Sequence, residues 1–115
     1  MMDRLLLQRH AELCQTLASP VRLEILNLLR DGERRVNELA EQTELNQANV
    51  SQHLAVLRTK GIVATRREGT NVYYRVTNPK MIRACDLIRE VLAEQADEHV
   101  ELARAARRAA RRKAA

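Results

Sequence analysis

Leu6, His10, Leu13 and Leu17 stand three and four residues apart, the spacing that lines one face of a helix, and predict an amphipathic helix over residues 3–18. Ser19-Pro20 then restarts the chain, because serine caps helices well and proline is preshaped for the first helical position. Val21, Ile25 and Leu28, flanked by Leu23, Leu26 and Leu29, make the next helix apolar on more than one face, so it should be buried centrally. Asp31-Gly32 is expected to end it, with Gly32 in the left-handed region. A short helix follows around Val36, Leu39 and Ala40 and breaks near Thr43-Glu44-Leu45. Asn46 can cap its successor, which carries Val50, Leu54 and Leu57 at i, i+4 and i+7 and stops at Gly61. Two short helices joined by so tight a turn form a helix-turn-helix unit.

Past Gly61 the hydrophobic period drops from 3.6 to about 2, the signature of extended chain. Ile62, Val63 and Thr65 lead to Arg66-Arg67; Glu68-Gly69-Thr70-Asn71 supplies turn residues; Val72, Tyr73, Tyr74 and Val76 return. This pattern predicts a two-stranded hairpin with glycine at its tip, which must lean on the helices because an isolated hairpin is marginal. Asn78-Pro79 repeats the cap-then-proline signal and opens a long last helix marked by Met81, Ile82, Cys85, Ile88, Leu92 and Val100. The expected fold is mainly α (α+β): helix, helix, helix-turn-helix, hairpin wing, helix. Residues 1–100 should form one winged helix-turn-helix domain that includes any dimerisation helices, and residues 101–115 a basic helical extension or frayed tail.

Composition sharpens this picture. The chain has no Phe or Trp and only two tyrosines, so its core must be aliphatic. Two cysteines fit a reduced intracellular protein rather than a disulfide scaffold. The first ten residues hold only three consecutive leucines, which predicts neither a signal peptide nor a membrane span and points to the cytoplasm. The net charge of +5 invites a nucleic-acid reading, yet all of it resides in residues 101–115; residues 1–100 sum to zero. Within that neutral part, residues 51–85 hold seven basic side chains against Glu68 alone, and residues 86–101 hold six acids against Arg89. The basic segment coincides with the helix after Asn46 and the hairpin.

With Val50, Leu54 and Leu57 turned inward, that helix offers Gln47, Asn49, Ser51, Gln52, His53 and Arg58 outward. Amides pair bidentately with adenine, and guanidinium with guanine or phosphate; Ser51 and His53 suit phosphate or sugar. An ordinary solvated helix would carry Glu and Lys pairs, whereas residues 46–57 contain no acid to oppose phosphate. Arg66 and Arg67, beside the Gly69 tip, are placed for backbone phosphates or an adjacent minor groove, or serve to protect an edge strand by charge. The partner these residues imply is double-stranded DNA.

Several separated segments resemble the ArsR/SmtB regulators: Leu17-Ala18-Ser19-Pro20-Val21-Arg22-Leu23-Glu24-Ile25-Leu26, then Asn49-Val50-Ser51-Gln52-His53-Leu54-Ala55-Val56-Leu57-Arg58, Gly61-Ile62-Val63, and Arg66-Arg67-Glu68-Gly69 with Tyr73-Tyr74. The resemblance covers residues 10–95 and implies a homodimer through the first and last helices, repressing from an inverted-repeat operator and released by an effector. One metal site of such regulators needs a Cys-x-Cys pair where this chain has Val36-Asn37-Glu38-Leu39-Ala40-Glu41; another needs Asp-x-His and His-x-x-Glu on the last helix, where Asp86 precedes Ile88 by two and His99 is followed by Glu101 and Leu102. Neither pattern fits, which leaves only His10 and His99 as a degenerate candidate, with His10 expected to be a partly buried first-helix residue. Cys14 and Cys85 fall on the two helices assigned to the interface and either pack as small hydrophobes or form a thiol switch, for which their Cα atoms must lie within about 7 Å. No cofactor is implied. No Ser, Cys or His has an orienting partner and no glycine loop exists for phosphates, which argues against an enzyme. The remaining alternatives are a winged-helix protein-interaction module and a non-specific architectural DNA-binding protein.

Overall fold

The structure, a computed structural model, describes residues 3–114, without the side chains of Lys113 and Ala114. Met1, Met2 and Ala115, which complete the predicted domain and tail, lie outside the described residues. The elements are α1 (Arg4–Thr16), α2 (Pro20–Leu28), β1 (Arg34–Arg35), α3 (Val36–Thr43), α4 (Gln47–Thr59), β2 (Val63–Glu68), β3 (Asn71–Val76) and α5 (Lys80–Ala114). The chain divides into two compact units, one running to Ile82 and the other comprising α5 from Arg83 onward.

In the first unit, side chains supply most of the helix starts. Asp3 Oδ1 accepts from the Leu5 amide at 3.0 Å, Ser19 Oγ from the Arg22 amide at 3.3 Å with Pro20 directly inside, and Asn46 Oδ1 from the Asn49 amide at 2.8 Å. The end of α4 is a Schellman motif: Gly61 N–H donates to Arg58 O and Ile62 N–H to Leu57 O, both at 2.9 Å. Gly61 takes φ 75°, which a side chain would resist, and the flanking Leu57 and Ile62 are both buried. By contrast, α2 stops at Leu28, before the expected Asp31-Gly32. Gly32 has φ 151°, outside the left-handed helical basin, so it shapes the loop, and its amide donates only a long bond, 3.4 Å, to the carbonyl of Leu29.

One element was invisible to periodicity. Arg34 and Arg35 form a two-residue strand that pairs antiparallel with Tyr74 and Tyr73, so the expected hairpin is a three-stranded sheet ordered β1-β3-β2. The hairpin thereby acquires the support it needs. Ile25, Leu26 and Leu29 meet Leu39 and Ala40 of α3, Val50, Leu54 and Leu57 of α4, and Ile62 and Val63 at the start of the wing. Leu13 and Leu17 pack against this aliphatic cluster from the α1 end. Fully burying one such side chain contributes about 1.5–3 kcal/mol, so the cluster fixes how α3 and α4 are held.

In the second unit α5 is one continuous helix, and Cys85 near its start is buried. Its later residues, 101–114, are helical. Among the described residues no helix is long and apolar enough to cross a membrane.

Candidate nucleic-acid interface

The turn between α3 and α4 sets the site. Glu44 takes the left-handed conformation, φ 61° and ψ 23°, uncommon for a residue with a side chain, and Leu45, half-buried, packs against the core. Asn46 then caps α4. Because Val50, Leu54 and Leu57 are all fully buried, the helix has no rotational freedom, and its opposite side must face out. Gln52 is exposed there, Asn49 and Ser51 are exposed on its flanks, and Gln47 and Arg58 are exposed at the two ends of the helix, beside the core-facing stripe. Among the described residues, no hydrogen bond or ion pair engages their side chains, so their donors and acceptors are available to a ligand.

His53 differs from these. It is half-buried, and its Nδ1 accepts from Arg22 Nε at 3.2 Å. The same Arg22 donates through Nη1 to the Thr16 carbonyl at 3.0 Å. The imidazole is therefore turned toward the start of α2 and tied, through one guanidinium, to the end of α1.

The wing closes through a two-residue loop, Gly69-Thr70, between the paired Glu68 and Asn71. Gly69 has φ 60° while Thr70 is not positive, the pattern of a type II′ turn with its glycine in first position. The two wing arginines have different surroundings. Arg66 donates from Nε to Glu33 at 3.1 and 3.2 Å and from Nη1 to Glu68 at 2.7 Å, and its guanidinium lies 4.7 Å from the ring centre of its cross-strand partner Tyr73. This hydrogen bonding from Arg66 holds the Glu33 carboxyl below the usual carboxylate range, and the two acids in turn raise the Arg66 pKa. Arg66 thus fastens the wing to the loop before β1. Arg67 is exposed and has no such partner among the described residues.

Between the start of α3, the start of α4 and the wing turn lies an open cavity of about 370 Å³. Arg35, Asn37, Gln47, Thr70 and Asn71 line it, and Arg35 Nη1 reaches Asn71 Oδ1 at 3.4 Å. Glu38 accepts from both the backbone and side chain of Arg35, which holds its pKa below the ordinary value. Arg35 and Asn37 carry no signal in the sequence, and Thr70 and Asn71 read there only as turn residues, because their meeting depends on β1, which is too short to show a period.

His10 is exposed on α1, not partly buried as expected, because the inward positions of that helix are Leu13 and Thr16. His99 is exposed on α5, and no group of three or more His, Cys, Asp or Glu side chains among the described residues could hold a metal ion. Cys14 is exposed and Cys85 buried.

A helix pair whose second member turns an acid-free polar face outward, followed by a β-hairpin wing, defines a winged helix-turn-helix protein of the DNA-binding class. Residues 19–65 match the family described as bacterial regulatory protein, arsR family. The HTH-type transcriptional regulator Rv0081 of Mycobacterium tuberculosis, described as uncharacterized, is 40% identical over 91 residues, covering 78% of this chain and 80% of the relative. Its crystal structure superposes with a TM-score of 0.76 at 37% identity, over 86% of this chain and 99% of that one. Rv0324 of the same organism, also an HTH-type transcriptional regulator, is 40% identical over 95 residues; the match covers 83% of this chain but only 40% of that longer protein. The solution structure of the homodimeric winged helix-turn-helix DNA-binding domain of Mb0332 from Mycobacterium bovis matches with a TM-score of 0.71 at 38% identity, over 82% of this chain and 89% of that one. The chain belongs to the ArsR family of bacterial transcriptional regulators, which places it among DNA-binding regulators rather than enzymes.

Proposed function

We propose that this chain represses transcription in the cytoplasm by binding an inverted-repeat operator as a homodimer. The observation that carries the reading is the exposed, acid-free face of α4, where the side chains of Gln47, Asn49, Ser51, Gln52 and Arg58 are unengaged among the described residues while the other side is locked into the core. Gln47, Asn49 and Gln52 read base edges, Ser51 positions the backbone, and Arg58 and Arg67 neutralise phosphates. His53 sets the pitch of α4 through Arg22, and Arg66 sets the posture of the wing.

The homodimer is supported by large apolar side chains left exposed on two helices: Leu5, Leu6 and Leu7 of α1, and Leu87, Ile88, Val91 and Leu92 of α5. A two-fold pair of reading helices calls for half-sites about 34 Å apart. Bound there, the protein excludes polymerase until an effector releases it, with a thiol oxidant or a metal ion as the chemistries to try.

Fluorescence anisotropy on the duplex upstream of the protein's own gene, against a scrambled duplex of equal length, tests the proposal. A preference of 10³ or more is expected, and Asn49→Ala or Gln52→Ala should cost about 1–3 kcal/mol of that preference. Equal affinity for both duplexes would instead make the chain an architectural protein.

A further inference from the structure

Along α5 the charge changes sign on one face. Helical spacing puts Asp86, Glu90, Glu94, Asp97 and Glu101 on the same side as Arg104, Arg107, Arg108, Arg111 and Arg112 farther along. The opposite side of those last turns is alanine, at Ala105, Ala106, Ala109 and Ala110. Ion pairing along this face is sparse among the described residues. Asp86 meets Arg89 and Glu101 meets Arg104, each at 3.0 Å, but no acid follows Glu101 in the chain. Arg107, Arg108, Arg111 and Arg112 are exposed, with no carboxylate partner among the described residues.

Each of these four has another arginine one turn away instead. Arg104 and Arg108, Arg107 and Arg111, and Arg108 and Arg112 are i, i+4 pairs, an arrangement of like charges that weakens a helix. The high helix propensity of alanine and arginine sustains the segment despite this repulsion. What the surface lacks is a dense line of negative charge. Duplex DNA offers one charge per about 1.7 Å of axis, closer than the roughly 6 Å between arginines one turn apart, so every guanidinium can meet a phosphate. A membrane suits it less, because an interfacial helix needs large apolar side chains opposite its charges and this one has alanine.

We propose that the arginine face of α5, from Arg104 to Arg112, is a second, sequence-independent DNA-binding element that grips backbone phosphates. It rests on the reading of the chain as a DNA-binding regulator and adds to it a surface that holds without reading.

The test replaces Arg107, Arg108, Arg111 and Arg112 together by glutamine in the full chain and, in a second variant, by lysine. Binding to the upstream and scrambled duplexes is followed over a salt series. The glutamine variant should bind both duplexes more weakly by the same factor, with a salt slope shallower by about 2–4 per protomer, and the lysine variant should restore the parent slope. Helix content by circular dichroism accompanies both. A glutamine variant with the parent slope overturns the proposal, and so does a lysine variant as shallow as the glutamine one. Binding to phosphatidylserine vesicles that the glutamine variant loses, with DNA slopes unchanged, assigns the surface to lipid and overturns it too. A parent that fails to distinguish the two duplexes, yet binds more steeply with salt than the glutamine variant, sinks the operator reading and leaves this one standing.

Discussion

Asn46 offers a way to separate holding the reading helix from presenting it. Its Oδ1 accepts from the Asn49 amide at 2.8 Å, the bond that starts α4. Asn46→Ala removes that acceptor, and loss of such a cap costs about 1 kcal/mol. For a domain of this size that is roughly 4 °C in Tm. Fraying is confined to the first turn, where Gln47 and Asn49 stand, so DNA affinity should fall along with stability. Asn46→Asp behaves differently. Aspartate caps as well as asparagine, and its charge suits a helix N-terminus, so the Tm should match or exceed the parent's. The same carboxylate is the first acid on the outer face of α4, and against phosphate it should cost about tenfold in affinity at low salt, a deficit that shrinks as salt screens it. Differential scanning calorimetry paired with anisotropy over a salt series measures both quantities. If Asn46→Asp is fully stable and binds duplex as tightly as the parent, the start of α4 does not face phosphate and the assignment of this face is wrong.

Other consequences can be measured directly. Leu54 is fully buried at the centre of the aliphatic cluster, so Leu54→Ala should destabilise by about 2–5 kcal/mol, read as a lower urea midpoint. Arg67→Ala should reduce the salt slope by about 1 without moving the Tm; an unchanged slope would remove Arg67 from the phosphate contacts. The Glu33 carboxyl is held below its ordinary range by Arg66, so its contribution to wing stability is present above the unfolded-state pKa and disappears as pH falls through the lower folded-state value. Glu33→Gln should flatten the acid side of the stability profile; a profile that keeps the parent's acid limb would place the coupling elsewhere. Cys85→Ser puts a hydroxyl in a buried position at a cost of about 1–3 kcal/mol, while Cys14→Ser, at an exposed position, should be neutral. A DNA complex that both variants release on oxidation as the parent does would exclude a thiol switch.

The helices were legible because each carries its own boundary chemistry. Ser19-Pro20, Asn46 and Gly61 announce starts and stops that local hydrogen bonds then make, and the inward set Val50, Leu54 and Leu57 follows from spacing alone. What escaped the sequence was decided by partners distant along the chain. Arg34 and Arg35 are a strand only because β3 passes beside them. His53 looked like one more outward polar residue until Arg22, on another helix, claimed its Nδ1. Arg66 and Arg67 are identical neighbours on paper, and alternation along β2 puts only one of them within reach of Glu33. Gly32 has the residue type of a helix stop, yet α2 ends before it, at Leu28. Local rules found the elements, and tertiary partners decided which side chains stayed free.

The two-residue strand at Arg34–Arg35 has a kinetic corollary. By flanking β3, it makes the tyrosine-bearing strand the interior one of the sheet and leaves β2 on the rim. Amide protons of Tyr73 and Tyr74 should therefore exchange with deuterated solvent more slowly than those near Gly69, where the ladder narrows to the lone pair of β2 and β3. The wing would then be anchored at its base and supple at its tip, able to follow the local width of a groove while its root keeps step with α3.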